Sequence, residues 1–487
     1  MVSRAEVLFS AAKKDPLGLR AVLSPATSPL LLLLVFVVLW VAPYGIEGPG
    51  DYFTAMQGST VLSAVYGAIA LGLHLFCGRQ YSAVFIQAAA VRLAVLGVFY
   101  LVAPESFTFP LFNINTSTMP IWDDDVHYVG AGQYIVDFGV PAGEVVFENP
   151  TLPFALKVAH VGLLISWIKL VFGEAQVWVR LVHVLLGSVT ALVVLLSLRR
   201  LVGPASQRFG ALLVVFGPEF IQSSILLYKE VYVHLSTAIL LYGLWQVAQD
   251  REIRPRSAAT ALVGLACIWW CRQEVFLLSL GVTAVHFFVF TWKGGAQYGS
   301  RIALGIVATV VIMSIFNFGP KKDMMESVLQ DTTLQQGASF GWAAGLTGPA
   351  RLFHVPLSFA NPPPFLLHQY VAWDLKDYSW FKDVFRELRT VQWWWMAPWI
   401  AFGLLAVWDR KGRLATFVLP YICVWFSAAI AFNGVGPEVV RYRDTFLASA
   451  VMLAMIGHEF AGRRFQKITT PLTLMTIFAI WLFMNAR

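Results

Sequence analysis

Residues 176–198 read Gln-Val-Trp-Val-Arg-Leu-Val-His-Val-Leu-Leu-Gly-Ser-Val-Thr-Ala-Leu-Val-Val-Leu-Leu-Ser-Leu, and Arg199-Arg200 follow at once. About 20 predominantly apolar residues are enough to carry a helix across the hydrocarbon of a bilayer. The stretch is therefore expected to span, with its basic exit on the cytoplasmic side. It is one of many: 58% of the 487 residues are hydrophobic and 13% charged, and the mean hydropathy is +0.67. That share of apolar residues is well beyond a soluble domain, so the chain is read as an all-α polytopic membrane protein.

Thirteen candidate spans follow from length and hydropathy: 29–45, 59–77, 82–103, 176–198, 209–226, 231–248, 257–270, 275–292, 301–318, 394–408, 413–432, 443–461 and 470–485. With the N-terminus inside, every inner loop is basic, as the positive-inside rule asks. These loops carry Arg79, then Arg199, Arg200 and Arg208, then Arg251, Arg254 and Arg256, then Lys293 and Arg301, then Arg410, Lys411 and Arg413, and finally Arg463, Arg464 and Lys467. One further stretch, Leu152 to Phe172, is apolar enough to span. Counting it would invert the later loops, and Lys157, His160 and Lys169 interrupt it, so it is expected to lie along the interface.

The net charge of +7 is spread over these short loop clusters, which argues against a nucleic-acid partner. Cys77, Cys267, Cys271 and Cys423 lie in or beside apolar runs and are expected to be buried thiols. The first apolar run, Leu30 to Ala42, follows Arg4, Lys13, Lys14 and Arg20 without a convincing cleavage site and reads as a retained helix. No repeat or soluble domain stands out. Residues 1–487 are expected to form one membrane domain with two large outer loops, 104–175 and 319–392.

The first of those loops contains Trp-Asp-Asp-Asp-Val-His-Tyr-Val-Gly-Ala-Gly, residues 122–132. A helix beginning near Asp123 would place Asp124, His127, Tyr128, Ala131 and Ile135 on one face. Two readings fit. The carboxylates are a cap and acidic first turn of a solvated helix, or they are an active site. Three adjacent acids repel, which favours a proton on one of them unless a cation or metal offsets the field, and such a carboxylate is suited to proton transfer.

The run Asp124-Asp125-x-x-Tyr128, with Ala131 and Gly132 behind it, resembles the acidic pair and tyrosine that open the first large outer loop of GT-C glycosyltransferases. That superfamily includes protein O-mannosyltransferases and the aminoarabinose transferase of lipid A. The likeness continues through Asn149-Pro150-x-Leu152, through Phe172-Gly173, Arg180, Gly187 and Arg199-Arg200-Leu-Val-Gly203, and through Pro218-Glu219-Phe220-Ile221 and Lys229-Glu230. It covers about residues 82–290 and is loose in the C-terminal third.

The resemblance implies a GT-C-like bundle of about 13 transmembrane helices, with interfacial helices in the first outer loop. It implies transfer of a sugar from a polyprenyl-phosphate carrier to an acceptor hydroxyl on a glycan, lipid or protein. The expected setting is the outer face of a bacterial cytoplasmic membrane. Asp124 is implied as the base, with inversion at the anomeric carbon, and Asp125 and Glu230 as helpers that orient it or the substrates. His127, Tyr128 and Glu274 are implied substrate contacts.

The leaving phosphate needs cations, and Lys229, Arg272, Lys321, Lys322, Arg441 and Arg443 are the outer-facing ones. Similar arginines in the superfamily lie near the carrier phosphate, which implies Lys229, Arg272, Arg441 and Arg443 for donor binding. Each has a plainer reading: Lys229 as a boundary ion pair with Glu230, Arg441 and Arg443 as snorkelling side chains, and Lys321 and Lys322 as partners of Asp323 and Glu326. Arg272-Gln273-Glu274 sits between two short apolar runs, where charge is expensive unless it lines a cavity.

His127, His160 and His354 raise the question of a metal beside the aspartates, but no ligand spacing is diagnostic, and no ion is expected to be required. Trp393 to Trp395 reads as an aromatic belt. Two rivals remain. An O-antigen-type polymerase or ligase also joins lipid-carried glycans, using arginines instead of a carboxylate base. A secondary transporter would show paired repeats and broken helices at the midplane.

Overall fold

In the computed structural model, residues 28–46, 52–102, 132, 135–137, 153–172, 176–225, 229–250, 254–291, 379–409, 413–422 and 445–485 are described. Nearly all of them are helical. The helices are α1 (Ser28–Ile46), α2 (Tyr52–Gly72, running into a π-helical turn, Leu73–Cys77), α3 (Arg79–Val102), α4 (Pro153–Phe172), α5 (Gln176–Leu198) and α6 (Pro204–Val215). There follow α7 (Pro218–Ile225), α8 (Glu230–Asp250), α9 (Pro255–Cys271), α10 (Gln273–Thr291), α11 (Ser379–Asp409) and α12 (Leu447–Asn485).

Among the described residues four helical stretches are long and apolar enough to cross a membrane: Ala55–Cys77, Arg79–Leu101, Val177–Leu198 and Glu230–Gln249. Large apolar side chains face outward on several helices, including Leu33, Val37, Leu101, Leu262 and Met475. Water would penalise such exposure at roughly 25 cal/mol per Å², whereas lipid does not. The chain is built for a bilayer. The expected span 301–318 and the second half of 413–432 lie outside the described residues.

The chain divides into two compact units, one comprising 1–235 and 372–385, the other 236–371 and 386–487. In the first, α3 packs on α5 and α1, and α4 lies against α2 and α5. Its core holds Tyr66, Phe85, Phe99, Trp178 and Phe220. The Tyr66 hydroxyl donates to the Leu181 carbonyl at 3.3 Å, which ties α2 to α5. In the second unit, Trp245 meets Phe417 at 5.1 Å between ring centroids, and the Tyr421 hydroxyl donates to the Phe446 carbonyl at 2.6 Å.

Three expectations change. Residues 209–226, read as one span, form two helices, α6 and α7, separated by Phe216 and Gly217. Pro218 has no N–H to continue the ladder and disfavours helical geometry in the residue before it. A hydropathy window averages over such a break. Of the spans 443–461 and 470–485, read as joined by a basic loop, the described parts belong to two helices that meet directly at Gly462 (φ 73°), with 463–469 helical instead of a loop. A left-handed backbone angle of this kind suits a residue without Cβ. Finally, the cysteines are not uniformly buried: Cys271 is, Cys77 is intermediate and Cys267 is exposed. Cys267 shares α9 with the outward-facing Leu262, Val263 and Trp269, so an apolar run presents it to lipid instead of the core.

Candidate functional site

The break between α6 and α7 creates a local problem of hydrogen bonding. A helix leaves its last four carbonyls without intrahelical donors, and hydrocarbon supplies none. Two buried arginines meet such carbonyls, Arg92 at the break itself and Arg180 at the far end of α7. Arg92, on α3, donates through Nη2 to the Val214 carbonyl near the end of α6 at 3.0 Å. Its Nε donates to Ser224 Oγ at 3.2 Å and its Nη1 to the Ala88 carbonyl at 3.0 Å. Arg180, on α5, donates through Nη1 to the Ile225 carbonyl at 2.5 Å, at the last residue of α7. Its guanidinium also stands 5.5 Å from the centre of the Phe99 ring, within the range of a cation–π contact. Each cation thus meets the negative end of a half-helix dipole.

The short helix α7 is buried along its length from Glu219 to Ile225. It brings Glu219, Gln222, Ser223 and Ser224 into the interior of the first unit. Ser223 Oγ lies 3.3 Å from His234 Nδ1, and the His234 ring meets Phe220 edge to face at 5.5 Å. One turn along α5 from Arg180, His183 Nε2 lies 2.8 Å from the Tyr232 hydroxyl. Gly187, a further turn along, leaves the room that Ser224 and Arg92 occupy. The result is a buried polar seam contributed by α3, α5, α7 and the start of α8.

Two of the residues named from the sequence sit at the edge of that seam. Lys229 and Glu230 are half-buried at the entry to α8. The Lys229 carbonyl accepts from the amides of Tyr232 at 3.1 Å and Val233 at 3.2 Å, which starts the helix two residues before the tyrosine that meets His183. Glu230 occupies its first turn, where the helix dipole favours a carboxylate.

Asp124, Asp125, His127 and Tyr128 lie outside the described residues, but the flank of their motif does not. Gly132 is helical and buried. A Cβ there would stand 2.6 Å from Ile165 Cγ2 and 3.1 Å from the Gly162 carbonyl, so the small residue behind the acidic pair is seated directly on α4. Ile135 is buried as well, and Asp137 is exposed.

Arg272 belongs to the second unit. It alone separates α9 from α10, with extended backbone (φ −158°, ψ 97°), and is buried. Its amide donates to the Ile268 carbonyl at 2.8 Å and its carbonyl accepts from Phe276 at 3.0 Å. Glu274 lies in the first turn of α10, and its side chain is not among those described. Arg441 and Arg443, Lys321 and Lys322 also lie outside the described residues. Trp393, Trp394 and Trp395 are half-buried on α11, as amphipathic rings of a belt would be.

Among the described residues, no group of three or more His, Cys, Asp or Glu side chains is gathered closely enough to hold a metal ion. Sequence reasoning passed over Arg92, His183, Tyr232 and Ser224. A lone arginine inside an apolar span was the one available signal, since an ionisable residue at such a position is a functional candidate by default. No protein-family model, no curated protein and no solved structure matches the chain.

Proposed function

We propose that the chain is an integral-membrane glycosyltransferase that moves a sugar from a polyprenyl-phosphate carrier to an acceptor hydroxyl on the outer face of the membrane. The observation that carries this reading is the Asp124-Asp125-x-x-Tyr128 run in the sequence, followed by Gly132, which packs on α4 in the same compact unit as Lys229 and Glu230. Gly132 itself lies against Ile165 and the Gly162 carbonyl of α4, where a Cβ would not fit.

In this reading Asp124 accepts the proton of the acceptor hydroxyl as its oxygen attacks the anomeric carbon. The bond from that carbon to the carrier phosphate breaks on the opposite face, and the phosphate leaves with the bonding electron pair. Inversion follows from the in-line geometry. Lys229 meets the departing charge, and Asp125 and Glu230 orient the base and the hydroxyls. A desolvated setting strengthens each of these electrostatic contacts.

The experiment incubates the purified, full-length protein with a panel of radiolabelled polyprenyl-phosphate sugars and membrane extracts. Transfer from at least one donor supports the reading, and failure with every donor removes it. A second reading, a polytopic transporter, draws support from the broken helix α6–α7, since such breaks accompany midplane binding sites. Movement of a labelled carrier across proteoliposomes without sugar transfer would favour it.

A further inference from the structure

Arg92 stands thirteen positions after Arg79 and ten before Val102 in α3. It is therefore roughly 20 Å along the helix from its first residue at 1.5 Å per residue, deep in any membrane the helix crosses. A guanidinium at that depth is costly. None of its three hydrogen-bond acceptors is a carboxylate: Ser224 Oγ, the Ala88 carbonyl and the Val214 carbonyl hold it. Replacing such a charge with a methionine would remove the desolvation cost, so tolerance of the arginine calls for a task that an apolar residue cannot perform.

The task is visible in what it joins. Val214 belongs to the last turn of α6 and Ser224 to the last turn of α7, so one guanidinium bridges the two halves of the broken helix. Three residues separate Ile225 from the Lys229–Glu230 turn. The angle at the break thereby sets where that turn emerges. Gly187 and Ser224 complete the fit, because a Cβ at position 187 would fall on Ser224 and 3.0 Å from Arg92 Nε.

We propose that Arg92 is a positioning residue that fixes the angle between α6 and α7 through its charge, and so places the Lys229–Glu230 turn for its ligand. The proposal takes the role of that turn from the glycosyltransfer reading. Its structural half stands apart from that reading, and the test keeps them separate.

In a chain whose four native cysteines are replaced by serine or alanine, Lys229→Cys is introduced as a reporter, and its rate of modification by a membrane-impermeant maleimide is measured. Arg92→Met keeps the bulk of the stem without the charge and is expected to shift the rate about tenfold, as loss of a charged group's hydrogen bonds allows. Arg92→Lys keeps charge and donors and is expected to return the rate to within about threefold of the parent. Equal rates for parent and Arg92→Met, or equal shifts for Met and Lys, would overturn the proposal. Should Arg92→Met fail to accumulate, Ser224→Ala removes a single acceptor and is expected to shift the rate about twofold to threefold. An unchanged rate there overturns it too.

The activity arm uses the native cysteines and Lys229. Arg92→Met is expected to lower kcat with donor KM little changed, because the turn is misplaced without losing its groups, and Arg92→Lys is expected to restore most of it. A failure of transfer by the parent protein would remove the glycosyltransfer reading while leaving the maleimide result to decide the role of Arg92.

Discussion

His183 Nε2 and the Tyr232 hydroxyl lie 2.8 Å apart, with their rings edge to face at 87°. The bond ties the middle of α5 to the first turn of α8, two residues past Glu230. Tyr232→Phe removes the hydroxyl and keeps the ring. It is expected to destabilise the protein by about 1–2 kcal/mol, because a buried imidazole nitrogen loses its partner. Thermal unfolding in detergent measures this, and an unchanged transition would show that the bond contributes nothing net.

Gly187→Ala is expected to be far more damaging than its size suggests, since the new methyl falls on Ser224 and crowds Arg92. The cost should be about 1–3 kcal/mol, the range for overpacked interiors. Ser224→Ala removes the hydroxyl that the methyl strikes and should partly suppress it. The coupling is read from a double-mutant cycle, where strictly additive effects would contradict the packing described.

Gly132→Val is expected to lift the segment behind the acidic run off α4, because Ile165 and the Gly162 carbonyl occupy the space a side chain needs. Transfer activity should fall by more than the thermal destabilisation of about 1–3 kcal/mol that overpacking brings accounts for. Equal loss of both would mean that Gly132 serves the fold alone.

Single cysteines at Arg200 and Lys229 should react with an impermeant maleimide from opposite sides of the membrane. α6 and α7 together number about 20 residues, 12 and 8, enough for one crossing of roughly 30 Å despite the break. Labelling from one side only would make the pair a re-entrant hairpin and would undo the assignment of later loops.

Much of the helix plan was readable in the sequence because it depends on quantities a window can sum. The span 176–198 coincides with α5, and the cluster Arg199-Arg200 falls in the turn that ends it. The break at Gly217-Pro218 carried a signal of its own, a Gly-Pro pair, yet the apolar residues around it outweighed two letters. Arg92 escaped notice for the same reason, as one charge among residues 82–103 barely lowers their hydropathy. The polar seam was beyond reach for a different reason: Arg92, His183, Ser224 and Tyr232 come from four helices, and their meeting is a property of packing that no single helix encodes. Lys229 and Glu230 were singled out by the sequence motif alone, and the structure adds that their turn adjoins the seam.

The central claim is most directly tested by the rate of sugar transfer by Asp124→Asn, measured against the parent with the donor that the panel identifies. Asparagine keeps the shape of the side chain and removes its capacity to accept a proton. The account predicts a loss of at least about 100-fold, the lower range for a general base, with thermal stability retained. Full activity of Asp124→Asn would contradict the carboxylate-base mechanism and turn attention to an arginine-dependent polymerase or ligase.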